Sequence, residues 1–273
     1  MTPALDARDS AADTAEAVRA LTGRVADLEA AVAQLEAILR HDGAAPPPPK
    51  HMQVRVVGSY VPGFIESGFS ICEDLDAVLA VAGRSLGDFE TILDWGCGCG
   101  RTTRALKTLH PDARVYGADI DAEAIRWLQK KYEPRYGTFR LAPHEPPLPF
   151  DDGFFDFVAG ISVFTHLPED LQFRWLEELR RITRPGGLLI MTTSGQKNWS
   201  NLPEAQRRIV EEKGFYYLDG DYGQSIALPA FYQNAFHSTD YIRREWSRFF
   251  DVLDVQPARL QTFQDMTLLR RRP

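Results

Sequence analysis

The sequence predicts an α/β fold: a mostly parallel sheet with helices on both faces and a cofactor held over the carboxyl edge of its strands. Three observations carry this. The apolar run Thr91–Leu93 is followed by glycines at 96, 98 and 100 and by a helical pattern opening near Arg101. A second strand-like run, Arg114 to Asp119, ends in an acid and leads into a helical pattern from Ala122 to Tyr132. Further strand-like runs follow at Asp156–Ile161 and Leu188–Thr193, separated by helix-length stretches. Alternation of this kind builds parallel sheets, whose ligands lie at the carboxyl ends of the strands.

The first turn decides which ligand. Gly96, Gly98 and Gly100 let the backbone turn sharply and let a ligand lie against the peptide itself. A dinucleotide fingerprint needs glycine or alanine at 101, where Arg101 stands, and a phosphate loop needs a Gly-Lys-Ser/Thr that is missing. Asp94, at the strand tip, puts a negative charge where a pyrophosphate would want none; it suits an ammonium and a sulfonium. Asp119 closes the next strand, where a carboxylate can accept from both hydroxyls of a ribose. Ile120 offers an apolar face to an adenine, and Asp121 is the expected N-cap of the following helix.

The run Asp94-x-Gly96-x-Gly98-x-Gly100, the acid at 119, the block Leu148-Pro149-Phe150 to Val158 and the turn Arg184-Pro185-Gly186-Gly187 stand in the order of one family. Together they resemble class I S-adenosylmethionine-dependent methyltransferases, by motif over roughly residues 85–195 and by pattern over 250–271. The resemblance implies a Rossmann-like sheet whose final hairpin, Asp251–Val255 and Met266–Leu269, is reversed. It implies S-adenosylmethionine as cofactor and S-adenosylhomocysteine as product, held by Asp94, Gly96, Cys97, Gly98, Gly100, Arg101, Asp119 and Ile120. Gly160 and Ile161 are then expected at the methionine end, with Arg101 a candidate partner for its carboxylate. The family's usual acid against the adenine amino group is displaced here, so His144 and Glu145 compete for that place.

Composition narrows the setting. With 273 residues, 44% of them hydrophobic, the chain has enough for one good-sized core and an extra element. A net charge of −7 argues against a nucleic-acid groove. The acidic N-terminus lacks a leader pattern, so a cytoplasmic protein is expected. Three cysteines allow no disulfide framework, and Cys97 and Cys99 lack a second pair for a structural zinc.

Before the domain (51–273), residues 1–15 have little to pack, 43–50 form a proline-rich linker and 16–42 show a heptad pattern. Val18, Val25, Val32 and Leu39 fall at a, and Leu21, Leu28 and Leu35 at d, the choice that favours parallel two-stranded coiled coils. A homodimer through this helix competes with a helix folded onto its own domain.

Residues 195–250 are longer than an ordinary connection and dense in aromatics, as expected of an insertion that covers the active site and binds the methyl acceptor. Tyr216, Tyr222 and Tyr232 are the candidate acceptor contacts, while Ile242, Trp246 and Phe249, at helical spacing, read as core. For a hydroxyl acceptor a base is wanted; His166, just past the Asp156–Ile161 strand, and His237, in the insertion, are the candidates. Asp219 and Asp221 could hold a divalent ion, but Asp-Gly-Asp is ordinary turn chemistry, and no metal is expected. A weaker similarity of His237–Trp246 and Gln264-Asp265 to glycan-biosynthesis methyltransferases points to O-methylation of a sugar, glycan or other small hydroxylated acceptor. N- or C-methylation of a small molecule, and a non-catalytic scaffold assembling partners through the coiled coil, are the rivals; neither nucleic acid nor a membrane span is expected.

Overall fold

A computed structural model describes residues 18–26, 28–29, 32, 45–218, 229 and 231–273 of the chain. It divides into two units, residues 1–45 and 46–273. In the first, residues 18–26 are helical, and Val18, Leu21, Val25, Leu28 and Val32 are each 51–64% exposed. Leu35 and Leu39 of the heptad pattern, like residues 1–15, lie outside the described residues.

The second unit is built on a seven-stranded sheet. Its strands are β1 Thr91–Trp95, β2 Arg114–Asp119, β3 Thr138–Leu141, β4 Phe155–Gly160 and β5 Thr183–Thr193, then β8 Asp251–Leu260 and β9 Gln264–Arg270. A separate ribbon pairs β6 Phe215–Leu218 with β7 Asn234–His237 in antiparallel register. The order in the large sheet is β3-β2-β1-β4-β5-β9-β8; β9 lies antiparallel to β5 and β8, and the pairs from β3 to β5 are parallel. This is the Rossmann-like sheet with a reversed final hairpin that the sequence predicts. Every residue of β1 and β4 is buried, as central strands covered on both faces must be. The apparent turn Arg184–Gly187 is part of β5, with Gly186 at φ 75° and a register shift against β4 between Phe155 and Phe157.

Helices cover the sheet: α1 Lys50–Val57, α2 Glu66–Leu79, α3 Arg101–Leu109, α4 Ala122–Lys131, α5 Glu169–Ile182, α6 Gln196–Trp199, α7 Glu204–Lys213 and α8 Thr239–Glu245. Asp121 caps α4 as expected, its Oδ1 accepting from the amides of Glu123 (2.9 Å) and Ala124 (3.1 Å). The prolines are not a free spacer throughout. Pro48 is buried and its carbonyl accepts from Gln53 Nε2 at 2.7 Å, so the unit boundary falls at residue 45 rather than 50.

Where α2 crosses α3, a Cβ on Gly68 would stand 2.3 Å from the Arg101 carbonyl oxygen, a backbone atom with no rotamer to yield. Gly68→Ala should therefore force the helices apart, at about 1–3 kcal/mol for an overpacked site. Thermal unfolding is expected to show a Tm lower by several degrees; an unchanged Tm would show that the crossing is loose.

Candidate active site

A crevice enclosing about 1030 Å³, its mouth included, lies over the carboxyl ends of β1, β2 and β4. Asp94, Gly96, Cys97, Gly98, Arg101, Asp119, Ile120, His144, Ile161 and Tyr232 line it, so most of the predicted cofactor residues meet in one place.

The floor is set by two acids. Asp94 is 1% exposed and accepts a 2.6 Å bond from Thr103 Oγ1. Burial pushes its pKa up to about 6, against the help of Thr103; neighbouring Asp119 raises it further and Arg101 opposes that rise. The Asp119 carboxylate bridges two loops: Oδ2 accepts from the Gly98 amide at 2.7 Å and Oδ1 from the Asp121 amide at 2.8 Å. A carboxylate has about four acceptor sites, so Asp119 retains acceptor capacity for a ribose hydroxyl beside its backbone bonds. Burial lifts Asp119 too, against backbone bonds from Asp121, Gly98 and Ile120. Three lining carboxylates, Asp94, Asp119 and Asp121, outnumber the two lining guanidinium groups, Arg101 and Arg55, and Arg55 is already paired with Asp121, so the crevice disfavours phosphate and suits a cationic ligand. Arg101 donates to Ser67 Oγ at 3.1 Å and lies over the Phe64 ring, 5.4 Å from its centroid.

The glycines divide by role. Gly96 (φ 77°) and Gly98 (φ 53°) line the crevice in left-handed conformations, and a Cβ there would meet Val163 Cγ2 at 2.3 Å and Val56 Cγ2 at 2.6 Å. Gly100 and Gly160, expected at the cofactor, do not line it. A side chain on Gly100 would strike Leu128 of α4 at 2.5 Å, and one on Gly160 the Met191 sulfur at 2.5 Å, so both serve packing behind the site.

Other expectations are corrected by placement. Glu145 is exposed and ion-paired to Arg174 at 2.8 Å; of the two competitors His144 lines the crevice. His237 is 1% exposed, away from the crevice lining, with Nε2 2.9 Å from Gln172 Oε1. The Gln172 amide nitrogen donates to two carbonyls, leaving its oxygen to accept, so His237 Nε2 carries the proton. Burial drops its pKa to about 3, and it ties the β6–β7 ribbon to α5 instead of facing an acceptor. Tyr216 stacks on Phe236 and packs beside Trp199, Val210 and Leu218 as part of the insertion's own core. Tyr222, Asp219 and Asp221 lie outside the described residues. His166 is partly buried beside the crevice, its ring parallel to that of Tyr232. Ile242 and Trp246 are core, as expected, with Phe249 packed against them.

The sequence reading missed the outer wall. Arg55 and Val56 of α1 line the crevice, and Arg55 pairs with Asp121 (2.9 Å) and Glu123 (2.7 Å) at the start of α4. It also missed Ser162, a non-glycine residue at φ 59° just past β4, whose amide donates to Thr192 Oγ1 at 2.7 Å and whose hydroxyl bonds the Gln264 amide group. Positive φ at a serine is uncommon enough to mark the spot, but nothing in the sequence announces it. Among the described residues no cluster of metal-ligating side chains occurs, and no helix is long and apolar enough to cross a membrane.

Residues 93–191 match the family model of a methyltransferase domain. A 2-methyl-6-phytyl-1,4-hydroquinone methyltransferase of Synechocystis is 31% identical over 41% of this chain and 35% of its own. A tRNA N(3)-methylcytidine methyltransferase of Schizosaccharomyces pombe is 23% identical over 55% of this chain and 50% of its own. The chain thus spans between a third and a half of these curated relatives. The crystal structure of the PH0226 protein from Pyrococcus horikoshii superposes with a TM-score of 0.55, covering 77% of this chain and 92% of that one; at 16% identity this likeness concerns the fold.

Proposed function

We infer that this chain, which carries a class I S-adenosylmethionine-dependent methyltransferase domain, transfers the methyl group to a hydroxyl of a sugar, glycan or other small hydroxylated acceptor. The observation that carries the cofactor half is the Asp94–Asp119 pair around the glycine turn. When bound, S-adenosylmethionine supplies an electrophilic methyl on sulfur. Asp94 would face its ammonium, Asp119 would accept from the ribose hydroxyls, and Ile120 and His144 would flank the adenine. Arg101 and Ile161 would stand at the methionine end. The protein's remaining task is alignment, which can supply about 7–11 kcal/mol of barrier lowering when reactants are held in line.

The acceptor half rests on the aromatic-rich insertion of residues 195–250, which reaches the crevice through Phe231 and Tyr232 and so lies beside the transferred methyl group whichever ligand those two rings touch. The net charge of −7 disfavours a polynucleotide acceptor, although one relative above acts on tRNA. Incubation with methyl-labelled S-adenosylmethionine and a panel of soluble glycans, phenols and tRNA tests both halves. Label in a hydroxylated small molecule, lost in Asp94→Ala and Asp119→Ala, is the expected result; label in tRNA alone, or no cofactor binding by calorimetry, overturns it.

The exposed seam Val18, Leu21, Val25, Leu28 and Val32 further supports a parallel homodimer through the N-terminal helix. Leu21→Asp with Leu28→Asp should turn a dimeric elution mass into a monomeric one without altering S-adenosylhomocysteine affinity. A wild type that is already monomeric at about 100 µM would exclude this assembly.

A further inference from the structure

The segment Phe231–Gln233 enters the crevice from the insertion, and it is pinned there at three backbone groups. Tyr217 donates its hydroxyl to the Phe231 carbonyl at 2.5 Å. The Gln233 amide donates to the His166 carbonyl at 3.2 Å, and His166 Nδ1 lies 3.0 Å from the Gln233 carbonyl oxygen. Because a carbonyl only accepts, Nδ1 carries the proton there. Above this double bond the His166 and Tyr232 rings lie parallel, with centroids 4.1 Å apart and 17° between planes. Tyr232 thus has its ring plane set by a side chain of the loop that follows β4.

What the pinned ring faces follows from its neighbours. Phe231 sits edge-on to His144, 5.9 Å away, and His144 follows β3 on the side of Ala142 and Ile120. Tyr232 follows Phe231 directly and lines the same crevice as Asp119, the acid assigned to the ribose, and Ile120. Both aromatics therefore stand at the nucleoside end of the crevice.

We propose that Tyr232 is a wall of the nucleoside subsite, contributed by the insertion and held in plane by His166, which acts as a positioning residue. The inference rests on the reading of the crevice as an S-adenosylmethionine site. It moves Tyr232 from acceptor to cofactor and His166 from base to support. Burial already drops the His166 pKa to about 4, far below the range in which a base accepts a proton efficiently at neutral pH.

Calorimetry on the full chain with S-adenosylhomocysteine and with 5′-methylthioadenosine, which keeps the nucleoside but lacks the amino-acid end, tests this. Stacking on a base is worth enough that Tyr232→Leu should weaken both ligands by about tenfold or more, and by similar factors. Tyr232→Phe should stay within about threefold of wild type, since the ring and not the hydroxyl makes the wall. His166→Ala should approach Tyr232→Leu; His166→Asn, whose amide can donate to the Gln233 carbonyl, should recover most of the loss. The double variant His166→Ala/Tyr232→Leu should be no worse than Tyr232→Leu alone, because one residue works through the other. Tyr232→Met, with unfolding monitored, stands in if the leucine variant fails to fold. Unchanged methylthioadenosine affinity in Tyr232→Leu or Tyr232→Met overturns the wall, and additive losses or no recovery in His166→Asn overturn the positioning. A wild type that binds neither ligand removes the underlying cofactor reading as well.

Discussion

Asp94→Asn is expected to abolish measurable S-adenosylhomocysteine binding while raising the Tm of the ligand-free protein. Both effects come from one buried charge. Asp94 is 1% exposed, and burial lifts its pKa from 3.8 to about 6. At neutral pH the carboxylate is ionised in both folded and unfolded chains, but only the folded chain holds it out of water. A shift of that size costs the fold about 3 kcal/mol. The sign follows from proton binding. Between pH 4 and 6 the folded state holds the proton more tightly than the unfolded state, so stability conferred by the protonated form is lost as pH rises through that window. The cost is absent below about pH 4 and complete above about pH 6. The Tm gap between Asp94→Asn and wild type should therefore be widest at pH 7 and close toward pH 4. Asparagine can still accept from Thr103, so the local bond survives. What it cannot do is offer a negative charge to the ligand's ammonium. In wild type the same titration should weaken S-adenosylhomocysteine binding as pH falls below 6, by up to about tenfold per unit. An Asp94→Asn protein that binds within threefold of wild type would remove Asp94 from the site.

The same residue shows why the sequence exposes one half of this site and hides the other. Asp94, the turn after it and Asp119 are local features. A strand tip, a run of glycines and a second strand tip are each written in a few adjacent letters, and parallel pairing of β1 with β2 brings them together. Arg114–Asp119 is found with the bounds its pattern predicts, and Asp121 caps its helix. Arg55 is a different case. It reaches the site only because α1 folds back so that Arg55 meets Asp121 and Glu123, more than sixty residues later, and an isolated arginine on a short helix carries no mark of that contact. The histidines fail for a related reason. Histidine is the residue type a base requires, but its chemistry depends on burial and partners, and pattern alone does not place Gln172 against His237 or the Gln233 carbonyl against His166. Gly100 and Gly160 are the converse. Their presence is legible, yet what each makes room for, Leu128 and Met191, is a matter of packing between elements.

Asp119→Ala should cost at least about a hundredfold in S-adenosylhomocysteine affinity. Two losses combine. The ribose hydroxyls lose a charged acceptor, worth about 1.5–3 kcal/mol per bond. The amides of Gly98 and Asp121 lose the oxygens they donate to at 2.7 and 2.8 Å, so the glycine turn and the head of α4 are no longer tied to each other. Asp119→Asn separates these contributions. Its single oxygen can serve one amide, and its NH2 group turns the other contact into donor against donor, so an intermediate loss of about tenfold or more is expected. Comparison with Asp94 sharpens the test, because the proposed cofactor site assigns the two acids to opposite ends of one ligand. 5′-Methylthioadenosine lacks the ammonium, so Asp94→Asn should bind it about as well as wild type does, while Asp119→Ala should lose it together with S-adenosylhomocysteine. If both variants lose methylthioadenosine equally, the acids are not dividing the ligand between them and collapse of the shared turn explains both. If Asp119→Ala alone keeps it, the ribose is held elsewhere in the crevice, and the order of strands over which the cofactor lies must be redrawn.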